Sequence, residues 1–559
     1  MSNYRSILLV IVLLATACSR PPDENAPLAF VPSDTPFVMA NSEPMPEANV
    51  EMWARQMQGV WPSMVGLYDD MLSKIPDTSE PEAARFKQVT QAILDEIRQR
   101  DTPAKWAEVG FSAKSLGALY GVGMIPVLRV ELGDPDKFRA MVARVEAKAG
   151  AKLGTSHVDD QPVWTLRTGK AEGLMAIEDQ HLVIAFLPDN ADNALRRRVL
   201  GLDRPKKSLA ETGGLDNLNK AEGYLPFGSG WIDFTRLVAL IDTDPGYSAI
   251  AQMAADTPKN LDATCRSEYT ALAARAPRIV LGYTRLEGRH MTFSGRLDLD
   301  TKLAQAFVKL SSPPPGSAAP SSALYDISLS LPVLKIKDFL IERSNAIVDA
   351  PFQCPALASL NEVATKAKLR LRQFVPPPLS DFTGLRLMVN RLDIPENGNP
   401  DVSAAVLIGS SNPMGMIGMA QLVAPTLRDF KLALDGKPVD LPAGIFPNQA
   451  GYAPAMQVAA SESAVVIGIG ADIDLAAFIS ADTATDGQLM RAVYSGKFYD
   501  MLDSMLTRFS AMMPENQRAT IEQQKTLNAL YARWIDRIEV RVNATAKGIE
   551  MIQTTEMKP

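Results

Sequence analysis

The sequence predicts an α+β protein of two related halves, each a mostly antiparallel sheet with helices packed on one face. Three observations carry this. Short apolar runs pair across tight turns again and again, which builds antiparallel sheet. Longer segments between them hold apolar residues at helical period. Blocks from the first part of the chain return in the last part.

The body opens at Phe30-Val31-Pro32-Ser33-Asp34-Thr35-Pro36-Phe37-Val38-Met39-Ala40, a Pro-x-Asp-Thr turn leading into a short strand that Pro44 and Pro46 stop. A stripe of Trp53, Met57, Val60, Met64 and Leu67 predicts a helix over 51–72. Phe86, Val89, Ile93 and Ile97 predict a second over 82–100, broken by Pro103. Strands follow over 116–122 and 127–132. Asp134 as cap and Pro135 in the first turn open a helix that runs to 149. Strands over 163–167, 173–177 and 181–186 come next, the last two joined by Glu178-Asp179-Gln180, and a helix covers 189–200. The strand 230–235 feeds a helix with Leu237, Leu240 and Ile241. Another helix runs from Cys265 to 274, and 278–283 pairs with 292–299 across Leu286-Glu287-Gly288-Arg289.

Residues 311–322, SSPPPGSAAPSS, read as a linker. Beyond it the order is strand 323–330, helix 333–344, a helix from Cys354 to 368, a strand pair 384–392 and 402–409, helix 414–429 and buried strand 465–469. Helices 498–512 and 516–534 and a hairpin of 537–542 with 548–554 complete the chain. This last hairpin, with its Lys547-Gly548 turn, matches the 278–299 hairpin and its Glu287-Gly288 turn. Trp231-Ile232-Asp233-Phe234 resembles Tyr325-Asp326-Ile327-Ser328, and Cys265 and Cys354 each follow such a unit. The halves are therefore drawn at 28–310 and 323–559, with the cysteines in equivalent places.

The chain has 559 residues, a net charge of -7, 46% hydrophobic and 22% charged residues, so it can bury more than one core's worth of apolar surface. The acidic balance argues against a nucleic-acid partner, which needs a basic stripe. Before Leu14-Ala15-Thr16-Ala17-Cys18 stand Arg5 and an apolar run over 7–14, too short to span a bilayer. This start resembles the lipobox of bacterial lipoproteins, with Ala15 where that family usually has Leu and Leu14 one residue earlier. The resemblance implies a signal peptide over 1–17, and acyl chains on the sulfur and the freed amine of Cys18. Residues 18–27 then form a polar, Pro-rich tether. Ser19 in place of Asp implies an outer-membrane address, the inner membrane being the alternative, with the body facing the periplasm. Attachment would come from acyl methylenes, each contributing about 0.8 kcal/mol when buried. In that oxidising compartment Cys265 and Cys354 form an even pair. If bonded they close a loop worth about 4–5 kcal/mol; the alternative is two buried thiols. The opening Val31-Pro32-Ser33-Asp34-Thr35 is similar to that of an uncharacterised group of exported bacterial proteins whose folded body begins with Leu/Val-Pro-x-Asp-Thr. That group supplies no catalytic residue to carry over.

Chemistry is scarce. His157, His181 and His290 lie far apart and at no metal-ligand spacing, so no metal is expected; His181 and His290 read as solvated turn residues. Gly228-Ser229-Gly230 lacks the nucleophile-elbow spacing because Pro226 replaces the first glycine. Gly121-Val122-Gly123 and Gly468-Ile469-Gly470 lack the third glycine of a dinucleotide fingerprint, and no cofactor is implied. Asp69-Asp70, Asp159-Asp160 and the pair Glu131 and Asp134 are carboxylates without an established cleft. Arg196-Arg197-Arg198, with Arg204, Lys206 and Lys207 close behind, reads as a charged helix end facing water; the alternative is contact with lipid A phosphates or an acidic partner protein. Met414, Met416 and Met419, spaced by glycines, form either a core helix or an adaptable apolar binding surface. The expected function is a membrane-anchored, non-catalytic binding or scaffold protein with an envelope protein partner. The alternatives are a carrier or chaperone for an apolar ligand or lipid, and a carboxylate-dependent hydrolase.

Overall fold

The structure, a computed structural model, describes residues 24–558 except 59–60, 62–64, 67, 70–71, 73–80, 169–170, 242, 245, 248–260, 394–399, 443–444, 446–453, 471, 486 and 511–514. Cys18 lies outside the described residues, as do Val60, Met64, Leu67, Met512 and Met513.

The strands are β1 (Phe37–Asn41), β2 (Gly117–Val122), β3 (Ile125–Glu131), β4 (Gly154–Val158), β5 (Gln161–Thr168), β6 (Ala171–Glu178), β7 (His181–Pro188), β8 (Phe227–Asp233), β9 (Arg278–Glu287), β10 (His290–Asp298), β11 (Tyr325–Ser330), β12 (Phe382–Asp393), β13 (Asp401–Ser410), β14 (Val439–Asp440), β15 (Met456–Ala460), β16 (Ala464–Ile469), β17 (Gln488–Ser495), β18 (Ile535–Thr545) and β19 (Gly548–Met557). Helices of six residues or more are α1 (Glu47–Gln58), α2 (Pro81–Arg98), α3 (Pro135–Ala149), α4 (Asn193–Leu200), α5 (Gly214–Glu222), α6 (Phe234–Leu240), α7 (Ala263–Arg275), α8 (Thr301–Val308), α9 (Val333–Asp349), α10 (Ala358–Leu371), α11 (Pro413–Val423), α12 (Leu475–Ser480), α13 (Gly496–Ser510) and α14 (Glu515–Trp534). The fold is thus α+β.

All 19 strands among the described residues join one antiparallel sheet. Its pairings trace one path: β4-β5-β6-β7-β3-β2-β1-β8-β9-β10-β19-β18-β17-β11-β12-β13-β16-β15-β14. Where two sheets were expected there is one, because β10 pairs with β19 along nine residues, from His290 opposite Glu556 to Asp298 opposite Gly548. Nothing local in either strand announces that partner.

Alternation gives the sheet two sides, here called the Met39 face and the Val38 face after neighbours on β1. Helices pack on both, not on one. On the Val38 face, Leu195, Val199 and Leu200 of α4 and Leu215 and Leu218 of α5 bury Val38, Tyr120, Val127, Leu174 and Val183. Farther along, Leu475, Phe478 and Ile479 of α12 bury Leu407 and Val466. On the Met39 face, Val89 and Ala92 of α2 and Phe138, Val142 and Val145 of α3 cover Trp164, Met175, Ile177 and Ile184. Ile417 of α11 packs near Val465 and Ile467.

Local chemistry sets these elements. Asp134 caps α3 by accepting the Asp136 and Lys137 amides, and Gly150 ends it at φ 61°. In the Val-Pro-Ser-Asp-Thr opening the working residue is Thr35, 1% exposed. Its hydroxyl bonds the carbonyls of Phe37 and Gly121, and the Gly121 amide donates back to it. Arg236 Nη1 donates to the carbonyls of Ser33 and Thr35 and pins the turn from outside. His181 is buried, not solvated: it stands edge-on to Phe30 beside Arg129.

Candidate functional site: an open apolar trough

The two faces invert the usual arrangement of a half-exposed sheet, apolar inward and polar outward. Near the centre, the Val38 face carries the charges. Arg386 Nε and Nη2 donate to the two Asp326 carboxylate oxygens at 3.1 and 2.8 Å, both residues being buried. Arg296 is clasped by Glu222 and Asp298, and Arg491 bonds Glu539. The segment 311–322 lies over the first of these pairs. Gly316, at φ 76°, sits so near Arg386 that a Cβ there would fall 1.9 Å from its Nη1. Ser317 is buried and its hydroxyl accepts the Ala484 amide, while the Gly316 amide donates to the Ala481 carbonyl.

The Met39 face is the reverse. Register places Leu119, Met39 and Phe37, Ile232, Leu281 and Ile279, Phe293 and Leu297, Met551 and Ile549, Val540 and Val542, Met490, Ile327 and Leu329, Leu385 and Leu387, and Val406 on one side of eleven adjacent strands, β2 to β13. No charged side chain stands among them. At about 4.8 Å per strand this surface runs for about 48 Å. None of these side chains is fully buried: Leu119 is 45%, Met39 39% and Met551 38% exposed, and most of the others are half-buried.

Helices wall this floor at its strand ends. Leu237 of α6, Ile241 and Tyr247 line, with Phe37, Met39, Leu119 and Ile232, an open pocket of about 530 Å³. Tyr499 of α13 and Tyr531 and Trp534 of α14 line, with Met291, Tyr494, Ile538 and Thr555, an open pocket of about 400 Å³. Burial pushes the Tyr494 and Tyr499 phenols up, so both are neutral at pH 7. Volumes in this range suit small apolar ligands.

Cys265 at the start of α7 is bonded to Cys354 ahead of α10. Leu261, Leu357, Ile241 and Phe352 pack around the bond, and Glu268 accepts the Gln353 and Cys354 amides at 2.7 and 3.0 Å. The bond therefore ties the helices that follow β11 to the wall built by Ile241. Met414 and Met419 of α11 project outward, Met416 is half-buried, and Ile417 is the inward contact. Arg196 bonds Glu172 and the Ala191 carbonyl, and Arg197 bonds Asp203. Among the described residues no group of three His, Cys, Asp or Glu is placed to hold a metal. None of the described helices is long and apolar enough to cross a membrane.

Sequence reasoning singled out the cysteines and the Met helix but missed the trough floor. Its residues come from strands far apart in the chain, and each strand alone reads as ordinary amphipathic β. No family model matches the chain, and neither a curated protein nor a solved structure is significantly similar to it.

Proposed function

We propose that this chain is an envelope lipoprotein, anchored by acyl chains on Cys18, that carries the acyl part of a lipid on its Met39 face. The observation that supports this reading is an uncharged apolar floor, about 48 Å long and left open between helical walls. Acyl chains suit it better than polypeptide. The backbone groups of these inner strands are spent on their neighbours, so a peptide laid across the face would lose water from its own N–H and C=O groups without replacement. An acyl chain has no such groups, and ten buried methylenes contribute about 8 kcal/mol before ordering costs. Titrating the protein with a fluorescent fatty acid tests this. Saturable binding is expected, falling at least about tenfold in Leu119→Glu/Ile232→Glu, because a carboxylate on the floor must be desolvated. Equal binding by both proteins contradicts it.

A scaffold that holds a protein partner is the second reading. Its support is the outward stripe Met419, Leu422 and Val423 on α11. Pulldown from envelopes with Leu422→Asp tests it, and an unchanged set of captured proteins would count against it.

The halves 28–310 and 323–559 are read here as related. Outward from the β10–β19 junction the orders run β10-β9-β8-β1-β2-β3-β7-β6-β5 and β19-β18-β17-β11-β12-β13-β16-β15-β14, each strand meeting its counterpart in chain order, with β4 unmatched. This supports the pairing of the two late hairpins. On this reading β8 answers to β17 and β11 to β1, so the Trp231 strand would not be the counterpart of the Tyr325 strand, nor Cys265 of Cys354. Superposition of the two strand sets in an experimental structure tests the relation; helices falling on opposite faces would end it.

A further inference from the structure

The chain is acidic overall, yet one projecting corner is basic. The end of α10 and the turn after it read Lys366-Ala367-Lys368-Leu369-Arg370-Leu371-Arg372-Gln373-Phe374, followed by Val375-Pro376-Pro377-Pro378-Leu379. The described ion pairs account for one of the four cations, Lys366, which meets Glu362 at 3.4 Å with both side chains in water. Leu369 among the cations is 66% exposed, and beyond the last of them Phe374 is 80% and Leu379 50% exposed. Hydrogen bonds to backbone carbonyls tie this corner to its neighbours. Lys337 of α9 donates to the Gln373 carbonyl at 2.8 Å. The Ser380 amide donates to the Pro376 carbonyl, and the Ser411 amide just past β13 donates to the Asp381 carbonyl.

We propose that this corner docks on an anionic phospholipid surface, with Phe374, Leu369 and Leu379 entering the headgroup boundary and Lys366, Lys368, Arg370 and Arg372 meeting the phosphates. The charge is complementary, and long basic side chains can lie along apolar neighbours while their heads reach phosphate. A phenylalanine with four-fifths of its surface in water has no pocket of its own. A fluid acyl boundary accepts such a wedge without a preformed cavity, whereas an acidic protein partner would have to supply one. The corner hangs from the helices that follow β11, so docking would bring one end of the trough wall against the bilayer. The proposal stands whatever the trough holds.

The test places a nitroxide on Phe374→Cys in the full chain, with Cys265 and Cys354 bonded and the signal of the identically treated parent subtracted. Vesicles rich in phosphatidylglycerol are compared with phosphatidylcholine vesicles by collision with oxygen and with a water-soluble nickel chelate. The expected result is a label shielded from nickel and open to oxygen on the anionic vesicles alone. Replacing Lys366, Lys368, Arg370 and Arg372 by Gln should abolish the shielding, each cation contributing about fivefold to partitioning. A label equally open to nickel on both vesicles overturns the proposal. So does shielding that survives the four Gln substitutions, or that appears only when an acidic protein is added.

Discussion

The two flanks of the sheet solve one problem differently. At the β5–β7 flank the Met39 face is sealed by two helices: α2 lies on α3, and Val89, Phe138 and Val142 bury the strands beneath. Arg144 to Glu96 and Lys148 to Asp95 stitch the helices together outside, and the Lys148 ammonium holds the Asp95 carboxyl below the usual carboxylate range. At the β13–β15 flank α11 sits on the sheet through Ile417, but α10 packs on α9 instead of on α11. Leu422 is left 80% exposed. A second helix makes the difference between a closed core and an apolar surface still available to something else. The trough floor continues between the flanks, so on the proposed reading a ligand would enter from the unsealed side.

The largest expected effect is at the sealed flank. Phe138→Ala removes a buried ring that meets Phe111 edge-on and should lower the unfolding free energy by about 3–5 kcal/mol, read from urea denaturation. A loss under about 1 kcal/mol would mean the flank is not sealed.

Next is the disulfide. Cys265→Ser/Cys354→Ser should cost about 2–4 kcal/mol. Hydrogen exchange should rise in α9 and α10 while α2 and α3 stay protected, because the bond ties only the former pair to α7. A uniform rise would erase the contrast between the flanks.

Glu222 gives a smaller effect with a pH signature. Hydrogen bonding to Arg296 holds its carboxyl below the usual glutamate value. Its folded value is lower than its unfolded one, so its contribution is complete above the ordinary glutamate range and is lost as pH falls through the depressed folded value. Glu222→Gln should cost about 1.5–3 kcal/mol at pH 7. The gap from wild type should narrow in urea midpoints taken between pH 5 and 3. A gap constant with pH would assign Glu222 a packing role alone.

Smallest is the mirror of the first: Leu422→Ala should leave stability within about 0.5 kcal/mol. A larger loss would mean that α11 is covered in solution.

Much of the fold was legible. Asp134-Pro135 marked a helix start, and the turns Glu287-Gly288 and Lys547-Gly548 marked the hairpins β9–β10 and β18–β19. The β10–β19 pairing was not, since two strands some 260 residues apart carry no local sign of each other. Strand β17 was also missed: Gln488-Leu489-Met490-Arg491 lacks clean alternation. The trough was hidden by a sound rule. Tyr325-Asp326-Ile327-Ser328-Leu329 reads as a strand with Asp326 in water and Ile327 inside. Arg386 pairs with Asp326, so the charged side is buried and the apolar side open. Opposite charges on β11 and β12 were the available clue, but using it required knowing that those strands are neighbours.

The central claim is tested most directly by photo-crosslinking the membrane-extracted protein with a lipid carrying a diazirine on its acyl chain, then mapping the adducts by peptide mass. Adducts on peptides holding Met39, Leu119, Ile232 and Met551 are what an acyl-carrying Met39 face requires. Adducts spread over the surface, or confined to α11, would contradict it.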